Sequence, residues 1–313
     1  MKKSFLNADD VRKLKYIKVT DPKIKVNHFP DFMIVGPQRT GTTWLTYNIL
    51  QHPKIFFSNP KEILYFSELE SLKNANKVRN IKFKDTFRLK YLRMFKTQGV
   101  DSPLYHSRDI SWYLSFFYDK PIPYFLKTIN AWREYKEIYK PRIRGEGSAS
   151  YAALDKEIIR EIVTINPEIK VILMIRNPIE RTWSHAKYNL ITMKRKTISD
   201  YSDKDFEDYF SRPYTKIAGL YTEMIQKWAS LLQKDNLFVG LFDDIRISPK
   251  ELLLRIYKFI GVDSDPKYIR HDSNAKINKS ESIDIPQKYN KMLGEIFADE
   301  LKRLKENYGL SWE

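Results

Sequence analysis

The chain has 313 residues, of which 42% are hydrophobic and 14% aromatic, so it can bury a sizeable core in one large domain or two small ones. It contains no cysteine, which excludes disulfides, thiolate catalysis and cysteine-ligated metals. A total of 55 Lys and Arg residues against 39 Asp and Glu residues gives a net charge of +16, which favours anionic partners. Because the lysines are spread along the chain, a basic bias of the solvated surface explains this charge equally well.

The first 30 residues are polar and lysine-rich, and we expect an N-terminal arm with a short helix near Asp9–Lys15. Met1–Leu6 begins like a signal peptide, but Asn7–Asp10 interrupts its apolar run. No stretch approaches the roughly 18 apolar residues of a membrane span. We therefore expect no transmembrane segment and a cytoplasmic protein.

Residues 31–51 carry the most informative pattern of the chain. Phe32–Val35 is a short apolar run of strand formers, and Gly36 ends it. A short loop leads to Gly41, and residues 44–50 then place apolar side chains on one side of a helix. A strand, a glycine-bounded loop and a helix form a phosphate cradle, in which backbone N–H groups point inward and the helix N-terminus adds about half a positive charge.

The spacing of this loop is G-x4-G-T-T, whereas nucleoside triphosphatases have G-x4-G-K-[ST]. Thr42 stands where the lysine that reaches the β- and γ-phosphates would be, and the basic residue is Arg39, inside the loop. The cradle therefore fits a short phosphate better than a triphosphate with Mg²⁺. The alternative interpretation is an ordinary glycine turn between a strand and a helix.

The next stretch is predicted to contain a strand at Lys54–Phe57 and a helix at Ile63–Leu69. Residues 70–140 are rich in Lys, Tyr, Phe and Trp and lack the alternation of a strand, so we predict a helical insertion that covers the sheet. Within it, helices are predicted at Asp85–Phe95, Ser111–Tyr118 and Tyr124–Tyr139.

The second half of the chain alternates predicted strands and helices. The strands are Arg142–Glu146, Val171–Ile175 and Leu237–Phe242. The helices are Leu154–Ile165, Pro178–Ile191, Tyr214–Gln233, Pro249–Ile260 and Pro286–Tyr308. Two polar stretches are predicted as loops, the first of them long enough to act as a lid: Met193–Pro213 and Asp272–Ser282. This alternation predicts an α/β fold with a central parallel sheet flanked by helices, in one domain from residue 31 to residue 313.

Two motifs resemble those of sulfotransferases that use 3′-phosphoadenosine 5′-phosphosulfate (PAPS). PQRTGTTWL, at residues 37–45, resembles their 5′-phosphosulfate loop, P-K-x-G-T-T-W or P-R-x-G-T-T. RNPIERTWS, at residues 176–184 after an apolar run, is similar to their 3′-phosphate motif, R-[DN]-P-x-[ED]-R-x-x-S. The two motifs stand in the family's order and about 140 residues apart, which argues against a chance match. The resemblance implies a P-loop-type sheet, PAPS as the sulfuryl donor and no metal.

The resemblance also implies which residues bind the nucleotide. They are Pro37, Gln38, Arg39, Thr40, Gly41, Thr42, Thr43, Trp44, Arg176, Ser184, Asn274 and Lys276. The family usually has Lys in place of Arg39, and Arg can balance charge on the leaving 5′-phosphate but cannot easily donate a proton. Asn274 and Lys276 match a late loop that closes over the nucleotide, although a solvated surface lysine explains Lys276 equally well. Arg181 is expected to form a salt bridge.

A general base is implied by a third stretch, NPKEILYF at residues 59–66, which resembles the [KE]-E-x-x-[FY]-F stretch of glycan sulfotransferases. Glu62 is therefore the predicted base, and a carboxylate at the start of the following helix is the structural alternative. His106 is the other candidate, because another branch of the family uses His. Residues 145–151 resemble G-E-K-[ST]-P-x-Y with Gly147 in place of Lys, so a second cation is either missing or supplied by Lys61.

Together these features predict a PAPS-dependent sulfotransferase that acts on a hydroxyl, or an amine, of a small molecule or glycan. A carbohydrate is favoured by analogy, and the insertion is expected to shape its binding site. One alternative, a nucleotide kinase or triphosphatase, is disfavoured by Thr42. The other, a nucleic-acid-binding protein, lacks a basic helix, a zinc pattern or an RNA-recognition signature, so no nucleic-acid partner is expected. The scattered histidines show no ligand spacing and predict no metal site.

Overall fold

The structure is a computed structural model that describes residues 6–21, 23–77, 109–274 and 283–312. In these residues five parallel strands form one sheet in the order β2-β3-β1-β4-β5. The strands are β1 (Phe32–Val35), β2 (Ile55–Phe57), β3 (Ile143–Gly147), β4 (Lys170–Ile175) and β5 (Leu237–Leu241). The predicted α/β fold with a central parallel sheet is confirmed.

Helices precede, connect and follow these strands. In chain order they are α1 (Ala8–Lys13), α2 (Thr42–Ile49), α3 (Tyr65–Lys77), α4 (Ile110–Leu114), α5 (Pro121–Tyr135), α6 (Lys156–Ile165), α7 (Pro178–Ala186), α8 (Asp203–Ser211), α9 (Pro213–Ile217), α10 (Tyr221–Ala229), α11 (Phe242–Ile247), α12 (Pro249–Ile260) and α13 (Gln287–Tyr308). Shorter 3₁₀ turns occupy Ser115–Phe117, Ala149–Ala153, Ile198–Asp200, Pro266–Tyr268 and His271–Asn274, and a π-helical turn at Lys187–Thr192 continues α7. None of the described helices is long and apolar enough to cross a membrane.

The sheet is buried on both faces, as a parallel sheet requires. Successive side chains of β1 point to opposite faces, so Met33 and Val35 join one hydrophobic cluster while Phe32 and Ile34 join another. The first cluster packs the sheet against α6 and α10, and the second packs it against α2 and α12. The continuous apolar runs of β1 and β4 therefore follow from helices that cover both sides.

Two predictions for the second half are wrong. The predicted loop at Met193–Pro213 contains α8, because the Ser202 and Asp205 side chains form a capping box. The apolar residues Phe206, Tyr209 and Phe210 of this helix are buried. The single helix predicted at Tyr214–Gln233 is broken into α9 and α10 around Gly219, where an added Cβ would lie 2.5 Å from the Phe297 ring.

In the predicted insertion, the helix predicted at Ser111–Tyr118 corresponds to α4 and the 3₁₀ turn that follows it, and the helix predicted at Tyr124–Tyr139 corresponds to α5, which begins at Pro121 and ends at Tyr135. The helix predicted at Asp85–Phe95 lies outside the described residues, as does His106.

The N-terminal segment is attached to the sheet domain by one buried carboxylate. Glu161 on α6 accepts hydrogen bonds from the backbone N–H groups of Lys15, Tyr16 and Ile17, at 2.6, 2.8 and 2.8 Å. Hydrophobic side chains of the same segment, Leu6, Ile17, Val26 and Phe29, are buried in the cluster on this face of the sheet. Residues 6–30 therefore contribute to the core, although their composition is polar.

We expect Glu161→Ala to lower the free energy of unfolding by about 2–4 kcal/mol, because it removes a charged acceptor and leaves three donors unpaired. Urea unfolding measures this change, and amide exchange at residues 15–17 should accelerate with it. Arg160→Ala, on the exposed side of the same helix, is the control and should shift stability by no more than about 0.5 kcal/mol. Equal stability of the two variants would contradict the anchoring role.

Candidate active site

The loop between β1 and α2 lies at the carboxyl edge of the sheet. The chain leaves β1 toward β2 and β3 and later crosses to β4 and β5, so the strand order reverses at β1. Open α/β sheets bind ligands beside such a switch point.

The backbone of this loop requires glycine at both ends. Gly36 has φ of +149°, and an added Cβ would lie 2.6 Å from the carbonyl oxygen of Met174 on β4. Gly41 has φ of +91°, and an added Cβ would lie 2.4 Å from Ile245. Gly41 is also the N-cap of α2, where it supplies no side-chain hydrogen bond to the first turn. The N–H groups of that turn remain available to an anion, and no acidic side chain opposes one there.

Several loop residues that are predicted to bind the nucleotide make hydrogen bonds within the protein or are buried. The Thr40 hydroxyl donates to the carbonyl of Pro37 at 2.8 Å and is fully buried. The Gln38 side chain accepts from the hydroxyl of Tyr214 at 2.8 Å. Thr42 is buried in the first turn of α2.

Trp44 connects the loop helix to a later segment. Its indole N–H donates to the carbonyl of Ser273 at 2.8 Å. Ser273 belongs to the 3₁₀ turn His271–Asn274, so this bond holds the turn against α2. The Asn274 side chain and the whole of Lys276 lie outside the described residues.

Arg39 connects the two predicted phosphate motifs. Its Nε donates to the Ser184 hydroxyl on α7 at 3.0 Å, and its guanidinium lies 5.2 Å from the centre of the Tyr188 ring. The backbone at Arg39 is left-handed, with φ of +77°, a conformation that costs a non-glycine residue free energy. Burial lowers the pKa of Arg39, and the nearby positive charge of Arg176 lowers it further.

Arg176 follows the end of β4 and faces the same edge. Its guanidinium donates to the Glu180 carboxylate at 2.8 Å and stacks over the Phe242 ring at 4.2 Å. This arrangement fixes the plane of the guanidinium beside the loop.

Arg181 does not form the expected salt bridge within the described part of the chain. It is fully buried and donates from Nη2 to the Thr182 hydroxyl and the Thr215 carbonyl. Its Nε and Nη1 have no hydrogen-bond partner among the residues that the structure describes. Burial lowers the pKa of Arg181, and Arg176 contributes in the same direction. Three arginines thus concentrate positive charge behind the loop and α7.

Glu62 and Lys61 approach the loop from the other side. The Glu62 N–H donates to the Gly147 carbonyl at 2.9 Å, which joins this segment to the end of β3. The Lys61 ammonium lies 3.3 Å from the Glu62 carboxylate and 3.4 Å from the Thr43 hydroxyl. The Lys61 and Glu62 side chains are 24% and 25% exposed, so an acceptor can reach them.

Gly147, where the family often has Lys, has little room for a side chain. An added Cβ would lie 3.0 Å from the Phe57 ring and 3.2 Å from the Thr46 hydroxyl. The cation beside α2 in this structure is Lys61.

A second carboxylate near this segment was missed by the sequence reasoning. Glu146 is fully buried and accepts hydrogen bonds from the hydroxyls of Tyr113 and Ser148. Burial raises the pKa of Glu146 to about 7. The Leu64 N–H lies 3.4 Å from the Ser148 hydroxyl, and the Phe66 N–H donates to the Tyr151 hydroxyl at 3.3 Å.

The hydrogen bonds around Glu146 are relevant to Glu62 because they hold the backbone of residues 64–66, which follows Glu62. Glu62 and Leu64 both have left-handed backbones, with φ of +67° and +63°. Such conformations persist only where the surroundings enforce them. The hydroxyls around Glu146 supply that constraint. A glutamate between two glycines in a strand, two residues before a serine, is the signal that could have identified it.

Comparison with known proteins identifies the family. A model described as the sulfotransferase domain matches residues 29–293, so the chain belongs to the sulfotransferase domain family. The human bifunctional heparan sulfate N-deacetylase/N-sulfotransferase 2 is 24% identical over 253 residues, which cover 78% of this chain and 23% of that protein. The membrane-associated sulfotransferase kil1 of Dictyostelium discoideum is 22% identical over 166 residues, 53% of this chain and 24% of that protein. The match thus spans about a quarter of the length of both relatives.

A solved structure shows the same fold. The sulfotransferase from Alicyclobacillus acidocaldarius superposes with a TM-score of 0.59 at 18% identity, over 90% of this chain and 97% of that one. The predicted class, a sulfotransferase enzyme, is confirmed.

The buried Glu146 predicts a specific pH dependence of stability. Its folded pKa of about 7 lies above the ordinary value of 4.5, so the folded protein binds more protons between those values. The free energy of unfolding should therefore fall as pH rises from about 4.5 to about 7, by at most about 3 kcal/mol from this group.

Glu146→Gln should remove that part of the pH dependence, as urea unfolding at several pH values from 5 to 8 would measure. Burial also raises the pKa of Glu68 to about 7, but both proteins retain Glu68, so their difference isolates Glu146. Parallel stability curves for the two proteins would show that Glu146 does not titrate in this range.

Proposed function

We propose that the chain transfers a sulfuryl group from PAPS to a hydroxyl or amine of a carbohydrate. The observation that carries the proposal is the contact between Arg39 Nε and Ser184 Oγ at 3.0 Å. It brings together one residue from each of the two motifs, which are distant in sequence, at the carboxyl edge of the sheet.

The residues around the loop suit a nucleotide with phosphates at two positions. The uncapped N-terminus of α2 and the glycine-bounded backbone suit the 5′-phosphate. Arg176 and Ser184 suit the 3′-phosphate, since a guanidinium fork and a hydroxyl both donate to phosphate oxygens. The buried Arg181, two of whose nitrogens have no partner in the described part of the chain, adds positive charge that an anion would balance.

When bound, PAPS supplies the sulfuryl group and leaves as 3′-phosphoadenosine 5′-phosphate. Arg39 and the α2 N-terminus would stabilise the negative charge that grows on the leaving phosphate. Lys61, beside Thr43, would add a cation on the acceptor side. Glu62, whose side chain is 25% exposed and lies next to Lys61, would take the proton of the acceptor group.

A glycan acceptor is supported by the relatives. The name of the human relative describes an N-sulfotransferase of heparan sulfate, and this supports an amine as the acceptor group. A nucleotide kinase is the weaker candidate, because Thr42 occupies the position of the triphosphate lysine and is buried.

Nucleotide binding tests the donor. We expect 3′-phosphoadenosine 5′-phosphate, but not ATP with Mg²⁺, to raise the melting temperature. Arg176→Ala should weaken the binding of 3′-phosphoadenosine 5′-phosphate by about 2–4 kcal/mol, as measured by calorimetry, because a charge-assisted contact is lost. Arg255→Ala is a matched control, because Arg255, like Arg176, pairs with a carboxylate, that of Asp244, and lies over a Phe ring, that of Phe238. Stabilisation by ATP with Mg²⁺ alone would favour the kinase.

Turnover tests the base. With labelled PAPS and fractionated glycans as acceptors, Glu62→Gln should lower kcat by about 10²–10⁴ and leave nucleotide affinity nearly unchanged. Glu68→Gln changes a neighbouring half-buried glutamate in the same way and serves as the control. If Glu62→Gln keeps a near-normal kcat and His106→Ala does not, then His106 is the base.

A further inference from the structure

The fully buried carboxylate of Glu146 lies beside the segment that carries Glu62, and the proposed reaction gives it no role. The end of β3 holds that segment, because the Glu62 N–H donates to the carbonyl of Gly147, the residue after Glu146, at 2.9 Å. Burial raises the pKa of Glu146, and the nearby negative charge of Glu62 raises it further. Burying a carboxylate costs free energy unless hydrogen-bond donors compensate it, so the donors around Glu146 indicate what it does.

The hydrogen bonds around Glu146 have a defined direction. An ionised carboxylate only accepts, so the hydroxyls of Tyr113 and Ser148 both donate to it, the latter at 2.9 Å. The Ser148 hydroxyl has then used its single proton, and its oxygen faces the Leu64 N–H at 3.4 Å as an acceptor. Glu146 therefore orients Ser148 as an acceptor for the backbone two residues after Glu62.

Tyr151 repeats this arrangement further along the segment. Its hydroxyl also hydrogen bonds with Glu146, and its oxygen accepts the Phe66 N–H at 3.3 Å. Residues 62–66 are thus held at alternate backbone N–H groups by the end of β3 and by two hydroxyls. This support coincides with the left-handed backbones of Glu62 and Leu64, which have to be enforced by their surroundings.

We propose that Glu146 is a positioning residue for Glu62, which it orients by holding residues 62–66 through the hydroxyls of Ser148 and Tyr151. The proposal rests on the proposed role of Glu62 as the general base. Glu146 is fully buried, so it acts through this backbone and does not touch the acceptor. The effect on turnover can be large, because a displacement of about 1 Å in a catalytic group can cost about 10²-fold in rate.

The same hydrogen bonds make the position of Glu62 depend on the proton of Glu146. A protonated Glu146 has to donate to a hydroxyl that otherwise donates to it. A reversed Ser148 hydroxyl would direct its proton at the Leu64 N–H, so that two donors oppose each other. Burial raises the pKa of Glu146 to about 7, which puts this change near neutral pH. The titratable groups that face Glu146 in the described part of the chain are Glu62, Tyr113 on α4 and Tyr151 in the turn after β3.

Amide hydrogen exchange of the free protein at about pH 8 tests the positioning without a substrate. Glu146→Gln should accelerate exchange at residues 62–66 at least about tenfold, because the Gln amide places a donor among hydroxyls that need an acceptor. Ser148→Ala should have a similar effect at Leu64. Glu300→Gln is the matched control and should leave exchange at residues 62–66 unchanged, because Glu300 is also buried but accepts from the Thr222 N–H at 2.7 Å.

Turnover connects the positioning with catalysis. The assay uses labelled PAPS and N-desulfated heparin, a glycan that offers both amines and hydroxyls. Glu146→Gln should lower kcat at about pH 8 by about tenfold or more and leave the KM for PAPS within about twofold, since the nucleotide side is untouched. The parent's kcat should rise with pH through about 7, and this step should be absent from Glu146→Gln. Both proteins retain Glu68, whose pKa burial also raises to about 7.

Tyr113→Phe gives a readout that a purely structural role would not produce. It keeps the aromatic ring and the link through Ser148, but it removes a hydrogen bond that lowers the pKa of Glu146. The midpoint of the step in kcat should therefore move to higher pH.

Three results would overturn the proposal. The first is equal exchange at residues 62–66 in the parent and Glu146→Gln, and the second is a parent-like kcat and pH profile in that variant. The third is equal acceleration at these residues in Glu300→Gln, which would assign the effect to general destabilisation. A parent that binds 3′-phosphoadenosine 5′-phosphate but transfers no sulfuryl group would instead contradict the proposed function, and the exchange data would still decide whether Glu146 holds residues 62–66.

Discussion

Mutual repulsion among arginines at the carboxyl edge of β1 and β4 is the constraint on which the site depends. Arg39, Arg176 and Arg181 lie close enough for Arg176 to lower the pKa of the other two. Of the three, Arg176 has a carboxylate partner, Glu180. Like charges in a partly buried setting destabilise one another unless fixed dipoles or an anion compensate. The free protein therefore holds an arrangement that a bound polyanion would relieve.

Apart from the ion pair of Arg176 with Glu180, the protein holds this arrangement by backbone conformation, hydrogen bonds and packing. Arg39 keeps a left-handed backbone between two glycines that the sheet requires, and its side chain is restrained by Ser184 and the Tyr188 ring. Tyr188 belongs to the π-helical turn that continues α7, a feature that often occurs at functional sites. Arg181 is enclosed by neighbouring helices, and its Nη2 is bonded to the Thr215 carbonyl. The positive charge is thus positioned before any ligand arrives, which reduces the reorganisation that binding needs.

A structural feature of this protein could be predicted from the sequence when the contacts that determine it join residues close together in the chain. The strands β1 and β4 were predictable because continuous apolar runs between helices indicate burial on both faces. The cradle was predictable because its glycines, threonines and Arg39 are contiguous. Helix α8 was missed because its charged residues outweighed three apolar ones, although the Ser202–Asp205 capping box was present in the sequence.

Other features depend on residues that are far apart along the chain. Glu146 accepts a hydrogen bond from Tyr113, which precedes it by 33 residues, and Arg39 meets Ser184 across 145 residues. No local sequence pattern predicts such pairings, because they arise only when the strand order brings β1, β3 and β4 together. The exposure of Phe125 and Trp132 on α5 was likewise not predictable, since a helical repeat of apolar residues does not say which side faces the core.

The replacement of the family's Lys by Arg39 shapes the chemistry open to this site. A lysine could donate a proton to the leaving phosphate, whereas a guanidinium stays charged throughout the physiological range even where burial lowers its pKa. In the proposed reaction, the cradle would stabilise the leaving group by charge and hydrogen bonds alone. Glu146, whose pKa burial raises to about 7, lies on the Glu62 side of the site, so a change in its protonation near that pH would act there rather than on the arginines.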